Sequence, residues 1–218
     1  MGAGQVSDAG GPVSDAGAGP APGPDGLARC PWALGSADYL PYHDEEWGRP
    51  VRDDAGMFER LSLEAFQSGL SWLTILRKRE NFRAAFAGFD PVAVAAFGDE
   101  DVARLMADAG IVRNRLKVNA AIVNARAALG LPDGLSALVW KYAAEAGQTP
   151  SGLRPSGAAP RTLAEVPAST PASKALSAEL KRNGFTFTGP VTAYATMQAC
   201  GIVNDHLAAC FCRDRDQA

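Results

Sequence analysis

Residues 99–129 read DEDVARLMADAGIVRNRLKVNAAIVNARAAL, and this stretch decides the fold. Apolar residues recur at helical spacing up to Gly110, a residue typical of helix ends, and a second helical pattern starts at about Asn114. The stretch therefore predicts two helices joined by a short glycine-containing turn, a helix–hairpin–helix. The inward positions are Val102, Leu105 and Met106 in the first helix, and Val118, Ile122, Ala125 and Leu129 in the second.

The turn of this hairpin has features that suit a phosphate group. Gly110 lies in the turn, and Arg113, Arg115 and Lys117 place positive charge around the start of the second helix. Backbone N–H groups at a helix start can hold a phosphate, as in many DNA contacts. A plain connector with a solvated charged face explains the same residues. DNA binding through this hairpin is one of two open interpretations.

The rest of the chain also shows helical patterns, and no alternating segment is long enough for a substantial strand. We predict an all-α fold. The further predicted helices are 57–68, a helix capped by Ser71, a short helix starting at Asp90-Pro91, 135–146, a helix capped by Ser173 and ending at Asn183, 190–200, and 204–210.

The predicted organisation is one helical domain between two tails. Residues 1–28 consist largely of Gly, Ala and Pro, and they offer too little apolar surface to offset their ordering entropy, so we predict a disordered tail. The helical domain spans 29–214, in two lobes, and 215–218 form a second tail. A stretch rich in Gly, Pro and Ser at 147–160 predicts a surface loop or the joint between the lobes.

The composition excludes several classes of protein. With 218 residues and 47% hydrophobic content, the chain can bury a sizeable core. No run approaches the roughly 20 apolar residues of a membrane span, and the first residues lack the pattern of a secretory signal, so we expect a cytoplasmic protein. The net charge of −3 does not decide for or against nucleic acid, because a DNA footprint is local.

Two cysteines and the chain's two histidines form a candidate metal site. His206 and Cys210 are four apart in a segment predicted helical, so both side chains would share one helix face. Cys30 and His43 lie far upstream in a proline-containing stretch that predicts a loop, and Cys212 lies off the face set by His206. Two Cys and two His are the ligand set of a closed, structural zinc site that joins both ends of the domain. Ordinary core packing is the alternative.

Several stretches taken together resemble the 3-methyladenine DNA glycosylase I family, within the helix–hairpin–helix DNA glycosylase superfamily. The resemblance covers about residues 28–212, in order, and its main motifs are Cys30-Pro31-Trp32, YLPYHDEEWG at 39–48, QSGLSW at 67–72, the hairpin, and MQACGIVNDH at 197–206. It implies the family's fold and one structural zinc ion. By position, the zinc ligands are Cys30, His43, His206 and Cys210.

The resemblance also implies a base-binding pocket. Glu64 is its expected catalytic residue, and the expected base-binding residues are Trp72, Tyr42, Tyr39, Trp32 and Trp47. The physical chemistry is consistent, since a 3-methylated adenine in DNA is cationic and an aromatic face attracts a cation. A carboxylate favours the same cationic form.

The implied activity is hydrolysis of the N-glycosidic bond of 3-methyladenine in alkylated double-stranded DNA, which releases the base and leaves an abasic site. We expect a bacterial monomer acting at the nucleoid, with no membrane and no obligate protein partner. Asp133 lies in a Pro-Asp-Gly turn pattern, so it is not expected to be catalytic. The alternatives are a non-catalytic, zinc-stabilised helical DNA-binding module and a zinc hydrolase of small molecules, against which four non-solvent ligands argue.

Overall fold

A computed structural model describes residues 17–143 and 159–215. Within these ranges the chain forms nine α-helices and one short pair of strands, which confirms the predicted all-α fold. The strands are β1 Ala21–Pro22 and β2 Ala28–Arg29. The helices are α1 Tyr39–Glu45, α2 Asp54–Gln67, α3 Trp72–Ala85, α4 Pro91–Ala95, α5 Asp99–Ala107, α6 Arg115–Leu129, α7 Gly134–Trp140, α8 Pro171–Arg182 and α9 Pro190–Ala199. None of these helices is long and apolar enough to cross a membrane.

Short polar side chains start most of the predicted helices. The Ser71 hydroxyl accepts a hydrogen bond from the backbone N–H of Thr74 at the start of α3, as the sequence predicts. Asp90 caps α4, with Pro91 at the first helical position. Asn114 caps α6 by accepting from the Lys117 backbone N–H, which places the predicted hairpin between α5 and α6. These caps satisfy N–H groups that have no partner within the helix.

Helix α2 lies at the centre of the fold. It packs against α3, α6, α7 and α9, and eight of its 14 residues are buried. A helix covered on several sides needs apolar residues around most of its circumference, and Leu61, Leu63 and Phe66 on α2 are almost completely buried. A charged residue on a covered face of this helix therefore lies inside the protein. Glu64 is such a residue.

The predicted N-terminal tail is wrong for residues 17–28. Strands β1 and β2 pair in antiparallel fashion there, and Arg29 donates to Asp25 at 2.6 Å and to Asp44 at 2.7 Å. Ion pairs and backbone hydrogen bonds fix this segment, whereas the prediction considered apolar burial alone. The remainder of the tail (1–16), most of the 147–160 stretch and residues 216–218 lie outside the described residues.

The predicted helix at 204–210 does not form. The guanidinium of Arg213 donates to the carbonyl oxygens of Asn204 and His206, so these groups are bonded to a side chain instead of a helical backbone. The argument that His206 and Cys210 share a helix face was therefore wrong. An irregular turn nevertheless brings the Cys210 Sγ to 3.6 Å from the His206 Nδ1.

Smaller differences concern three other helices. Helix α1 occupies part of the predicted upstream loop, and Pro41 fits because it lies in the first turn, where no helical partner for its N–H is needed. Helix α7 ends at Trp140, short of the predicted 146, and residues 144–146 are outside the described residues. Thr170, rather than Ser173, caps α8, and Ser173 completes the capping box.

Gly201 brings the chain after α9 against the segment after α1. Its φ of +71° suits glycine, and a Cβ at this position would lie 2.7 Å from the carbonyl oxygen of Gly48. The backbone N–H of Val51 donates to the Cys200 carbonyl beside this contact. The two ends of the domain therefore meet backbone to backbone, next to the candidate metal ligands.

Candidate functional site

A pocket of about 380 Å³ opens beside the central helix α2. Side chains from α1, α2, α3 and α9, together with residues from the segments before, between and after the helices, form its wall. It contains all six residues expected in the base-binding site, which are Trp32, Tyr39, Tyr42, Trp47, Glu64 and Trp72. Its other lining residues are Gln67, Leu163, Val166, Ala195, Gln198 and Asp205.

Glu64 enters the pocket from the middle of α2. The residue is 7% exposed, and its carboxylate has no hydrogen-bond partner among residues 17–143 and 159–215. Burial raises the pKa of this carboxyl to about 8, and the charge of Arg60 opposes the shift only in part. At pH 7 this carboxyl is therefore mainly protonated and neutral. Such a group is poised to ionise when a cation arrives.

Aromatic rings form the rest of the pocket wall. The rings of Trp72 and Tyr42 lie 5.3 Å apart between centroids, at an angle of 44°. Trp32 contacts Tyr39 edge to face at 5.6 Å and Trp47 at 5.1 Å. Burial raises the pKa of Tyr42 well above its ordinary value, so its hydroxyl stays protonated. The pocket therefore offers flat, polarisable faces around one carboxyl group, an arrangement that suits a cationic heterocycle.

Three polar pocket residues, Gln67, Gln198 and Asp205, were not singled out as site residues from the sequence. Asp205 is 2% exposed, and its carboxylate accepts hydrogen bonds from the Tyr194 hydroxyl and, at 2.9 Å, from Gln198 Nε2. Both Gln198 and Asp205 lie inside the 197–206 motif. Polar residues within an otherwise apolar stretch were the available signal, but their convergence on the pocket depends on the turn after α9.

The four predicted metal ligands lie together and are all buried. Their ligand atoms lie within 4.8 Å of one another. Cys210 Sγ is 3.5 Å from His43 Nε2 and 3.6 Å from His206 Nδ1, and Cys30 Sγ is 3.9 Å from His206 Nδ1. Bond lengths of about 2.3 Å to sulfur and 2.0–2.1 Å to nitrogen place tetrahedral S and N ligands roughly 3.6 Å apart. The cluster therefore has the dimensions to hold a metal ion.

The outer nitrogens of both histidines are already bonded. His43 Nδ1 lies 2.8 Å from Asp44 Oδ1, and His206 Nε2 lies 3.2 Å from the carbonyl oxygen of Trp47. Such contacts set the tautomer and leave the other nitrogen for a metal. Hydrogen bonds from Cys212 and Cys30 are the largest causes that lower the pKa of the Cys210 thiol, and contacts with both histidines add to them. One thiolate is thus favoured in the cluster.

Cys212 lies closer to this cluster than the sequence suggests. Its Sγ is 3.8 Å from His43 Nδ1 and 3.8 Å from Asp44 Oδ1. It therefore faces the outer nitrogen of His43, whereas Cys210 faces Nε2, the nitrogen directed at the other ligands. Asp44, His43 and Cys212 form a second, smaller group of potential ligand atoms.

The four predicted DNA-binding residues of the hairpin are of two kinds, because Gly110, Arg113 and Arg115 reach the surface and Lys117 is buried. Arg113 and Arg115 are exposed and have no hydrogen bond or ion pair within the described part of the chain. Gly110 allows close packing, since a Cβ there would lie 3.1 Å from the side chain of Asn81. Lys78 Nζ fixes the turn by donating to the Gly110 carbonyl at 3.2 Å. These residues fit the predicted phosphate-facing turn.

The predicted phosphate contact of Lys117 is wrong. Lys117 is 7% exposed, and its ammonium group donates to the carbonyl oxygens of Phe66 at 2.9 Å and Ser68 at 2.5 Å. Burial lowers its pKa. The sequence places this residue beside the hairpin, but its position in the first turn of α6 directs it inward, where it caps the end of α2. The predicted DNA contact of the hairpin is therefore limited to its exposed residues.

The chain is similar in sequence and in structure to known proteins. Residues 32–213 match the family model described as methyladenine glycosylase. The chain is 47% identical to DNA-3-methyladenine glycosylase 1 of Escherichia coli, over 85% of this chain and 97% of that protein. A crystal structure of 3-methyladenine DNA glycosylase I superposes with a TM-score of 0.77 at 44% identity, covering 85% and 99% of the two chains. A tyrosine-to-phenylalanine variant of such an enzyme, in complex with 3-methyladenine, has a TM-score of 0.76 at 31% identity, covering 85% and 97%.

Proposed function

The chain belongs to the methyladenine glycosylase family, and from this premise we propose that its pocket receives 3-methyladenine, with Glu64 as the catalytic residue. The chain is a DNA glycosylase that hydrolyses the N-glycosidic bond of 3-methyladenine and releases the free base. The observation that carries the residue assignment is the buried carboxyl of Glu64, unpaired among the described residues and enclosed by aromatic rings.

The mechanism follows from the positive charge of the damaged base. Methylation at N3 makes the base a good leaving group, so the enzyme has little need for a strong general acid. Once the nucleotide is flipped out of the duplex, Trp72 holds the charged ring by stacking and cation–π attraction. Glu64 ionises beside the cation and accepts from the edge of the base, and the Tyr42 hydroxyl provides a further edge contact. Water then attacks the sugar as the bond to the base breaks, so that the base leaves as a neutral molecule with the bonding electrons and the attacking water loses a proton to solvent.

The Cys/His cluster supports a structural zinc ion. The ligands would be Cys30, His43, His206 and Cys210, whose spacing and bonded outer nitrogens fit a closed tetrahedral shell. A filled shell supplies folding energy and leaves no place for an activated water molecule. The ion would join the segment before α1 to the segment after α9.

The DNA partner in this proposal is an alkylated duplex. Arg113 and Arg115 reach solvent beside the start of α6, and backbone N–H groups at a helix start can hold a phosphate. We further propose that the enzyme acts as a monomer in the bacterial cytoplasm, at the nucleoid, without an obligate protein partner. A non-catalytic DNA-binding module has no use for the Glu64 pocket, and four protein ligands argue against a small-molecule zinc hydrolase, which needs an open metal position.

The decisive experiment measures bases released from methylated duplex DNA by wild type, Glu64→Ala and Trp72→Ala. We expect free 3-methyladenine from wild type, and at least about a hundredfold less from each folded variant, because electrostatic and stacking contacts in the transition state are lost. Circular dichroism and zinc content establish that the variants are folded. Wild-type activity that survives both substitutions would overturn the assignment of the pocket residues.

A further inference from the structure

We infer that Gln198 selects adenine over guanine in this pocket, because Asp205 fixes the orientation of the Gln198 side-chain amide and leaves its Oε1 as an acceptor for the base. This inference rests on the proposed function and assigns the specificity of the same site. Gln198 is the specificity-determining residue, and Asp205 is a positioning residue that acts through it.

The orientation of the amide follows from its partner. Gln198 Nε2 lies 2.9 Å from Asp205 Oδ2, which also accepts from the Tyr194 hydroxyl. An oxygen atom that accepts a hydrogen bond from a hydroxyl group pairs with the NH₂ end of an amide and not with its carbonyl end. The reversed amide would bring two oxygen atoms into contact at the same place. Because Asp205 is 2% exposed, water does not compete for this bond.

The opposite end of the amide is available to a ligand. Gln198 lies near the end of α9 and lines the pocket together with Glu64 and Trp72. No donor bonds to its Oε1 among residues 17–143 and 159–215. The pocket therefore presents two acceptors to a cationic base, the Gln198 Oε1 and the carboxylate that Glu64 forms beside that base. The indole Nε1 of Trp72, which is buried without a partner in the same part of the chain, is a donor.

Two acceptors in one pocket distinguish the two purines. Adenine carries an exocyclic amino group at C6, which donates two hydrogen bonds, whereas guanine carries a carbonyl oxygen there. The amino group of 3-methyladenine can satisfy both Gln198 and Glu64. The O6 atom of 3-methylguanine would face the Gln198 Oε1, which carries no proton to share. A site built to hydrogen-bond one group rejects an analogue that leaves its buried polar atoms unpaired.

Gln67 provides a matched control. It is a second glutamine in the pocket wall, and its amide has no hydrogen bond within the described residues, so nothing fixes its orientation. Replacing either glutamine by methionine removes an amide from the pocket at nearly constant side-chain length. Only the Gln198 substitution removes an acceptor with a fixed direction.

The test measures 3-methyladenine and 3-methylguanine released from the same methylated duplex DNA, and binding of each free base by quenching of tryptophan fluorescence. We expect Gln198→Met to lower the ratio of 3-methyladenine to 3-methylguanine, in release and in binding, by about tenfold or more. Asp205→Asn frees the amide to turn, so it should lower the ratio while 3-methylguanine release is kept or increased. Gln67→Met should change the ratio less than twofold.

An unchanged ratio in Gln198→Met, or an equal loss of both bases, would overturn the inference. Zinc content and thermal unfolding identify an Asp205→Asn variant that is misfolded, and Gln198→Met still decides the question in that case. A wild type that releases no base would refute the proposed function instead, and free-base binding would then report on Gln198 separately.

Discussion

The Cys/His cluster and the base pocket lie on two sides of the same aromatic residues, and they differ in how their polar atoms are bonded. The ring centroids of Trp32 and His43 lie 5.1 Å apart, and those of Trp47 and His206 lie 4.7 Å apart. Both tryptophans also line the pocket. In the cluster, the outer histidine nitrogens and the Cys30 sulfur have protein partners. In the pocket, Glu64 and the Trp72 indole have none among the described residues.

This difference separates a structural site from a binding site. Buried polar groups are nearly always hydrogen-bonded, so a group left without a partner needs a compensating reason. In the cluster, bonded outer atoms hold the inner ligand atoms in place for a metal. In the pocket, unpaired groups are the ones that a base would satisfy. The two sites share a wall, so loss of the cluster is expected to disturb the pocket as well.

The largest expected effect is on stability, and it comes from replacing candidate metal ligands of the Cys/His cluster. Cys30→Ser combined with His206→Ala should lower the free energy of unfolding by several kcal/mol, on the order of 5, because metal binding contributes directly to folding. Chelator treatment of wild type should give the same loss, and added zinc should restore it. Urea unfolding with and without chelator measures both effects.

Cys200→Ala is the matched control for the cluster, because Cys200 is a buried thiol outside it. We expect a loss of about 1–2 kcal/mol from the lost packing, with undiminished response to chelator. Equal unfolding curves for wild type and the double variant would contradict a structural metal.

The second prediction concerns the pH dependence of activity, which should follow the ionisation of the unpaired Glu64 carboxyl in the pocket. With the pKa of Glu64 at about 8, kcat/KM should rise about tenfold per pH unit below pH 8 and level off above it, since the base requires the carboxylate. Glu64→Gln should be less active and lack this rise. Initial rates of base release between pH 5 and 9 provide the measurement, and a parallel rise in the variant would assign the titration to another group.

The Glu64 carboxyl should also make the stability of the folded protein depend on pH. Stability should fall as the pH rises, whereas activity should increase. In the unfolded chain Glu64 ionises near 4.5, whereas in the folded protein it keeps its proton to about pH 8. Wild type should therefore lose up to about 1.4 kcal/mol of stability per pH unit between these values relative to Glu64→Gln. Urea unfolding of both proteins at pH 5 and pH 8 tests this. A stability difference that does not change with pH would exclude the raised pKa.

A third, smaller effect concerns Lys117, which connects the hairpin helix to the pocket helix. Lys117→Met leaves the Phe66 and Ser68 carbonyl oxygens unpaired, so we expect a loss of about 2 kcal/mol in stability. Base release should also fall, because residues 67–72 follow these carbonyls and lead to Trp72. Urea unfolding and single-turnover excision measure the two losses. Reduced DNA affinity at unchanged stability would instead favour the phosphate contact.

The smallest effect is expected at the exposed hairpin residues. Arg113→Ala and Arg115→Ala should leave the unfolding free energy unchanged within about 0.5 kcal/mol. Each should weaken DNA binding a few-fold and reduce the slope of log K against log salt by about 0.9, as expected for one lost phosphate contact. Fluorescence anisotropy on a duplex at several salt concentrations measures the slope. Unchanged slopes would show that neither arginine contacts a phosphate and that DNA binds to another part of the protein.

The sequence determined those features that depend on neighbours along the chain. Periodicity and capping residues gave the helices around Ser71, Asp90 and Asn114, because helix starts are local events. Cys30, His43, His206 and Cys210 stood out by residue type, and the structure places them together. The pocket residues became recognisable through several motifs considered jointly, since Glu64 alone has the sequence context of any helical glutamate.

Only the tertiary structure decided which of these groups are buried and what they bond to. Lys117 lies 51 residues from Phe66 in sequence, yet their hydrogen bond determines that this lysine is structural. Arg213 donates hydrogen bonds to two carbonyls of the segment 204–210, which was predicted to be helical and is not. Asp205 orients Gln198 only because the turn after α9 brings them together. Burial and hydrogen-bond partners depend on how distant segments pack, and no local pattern in the sequence encodes that packing.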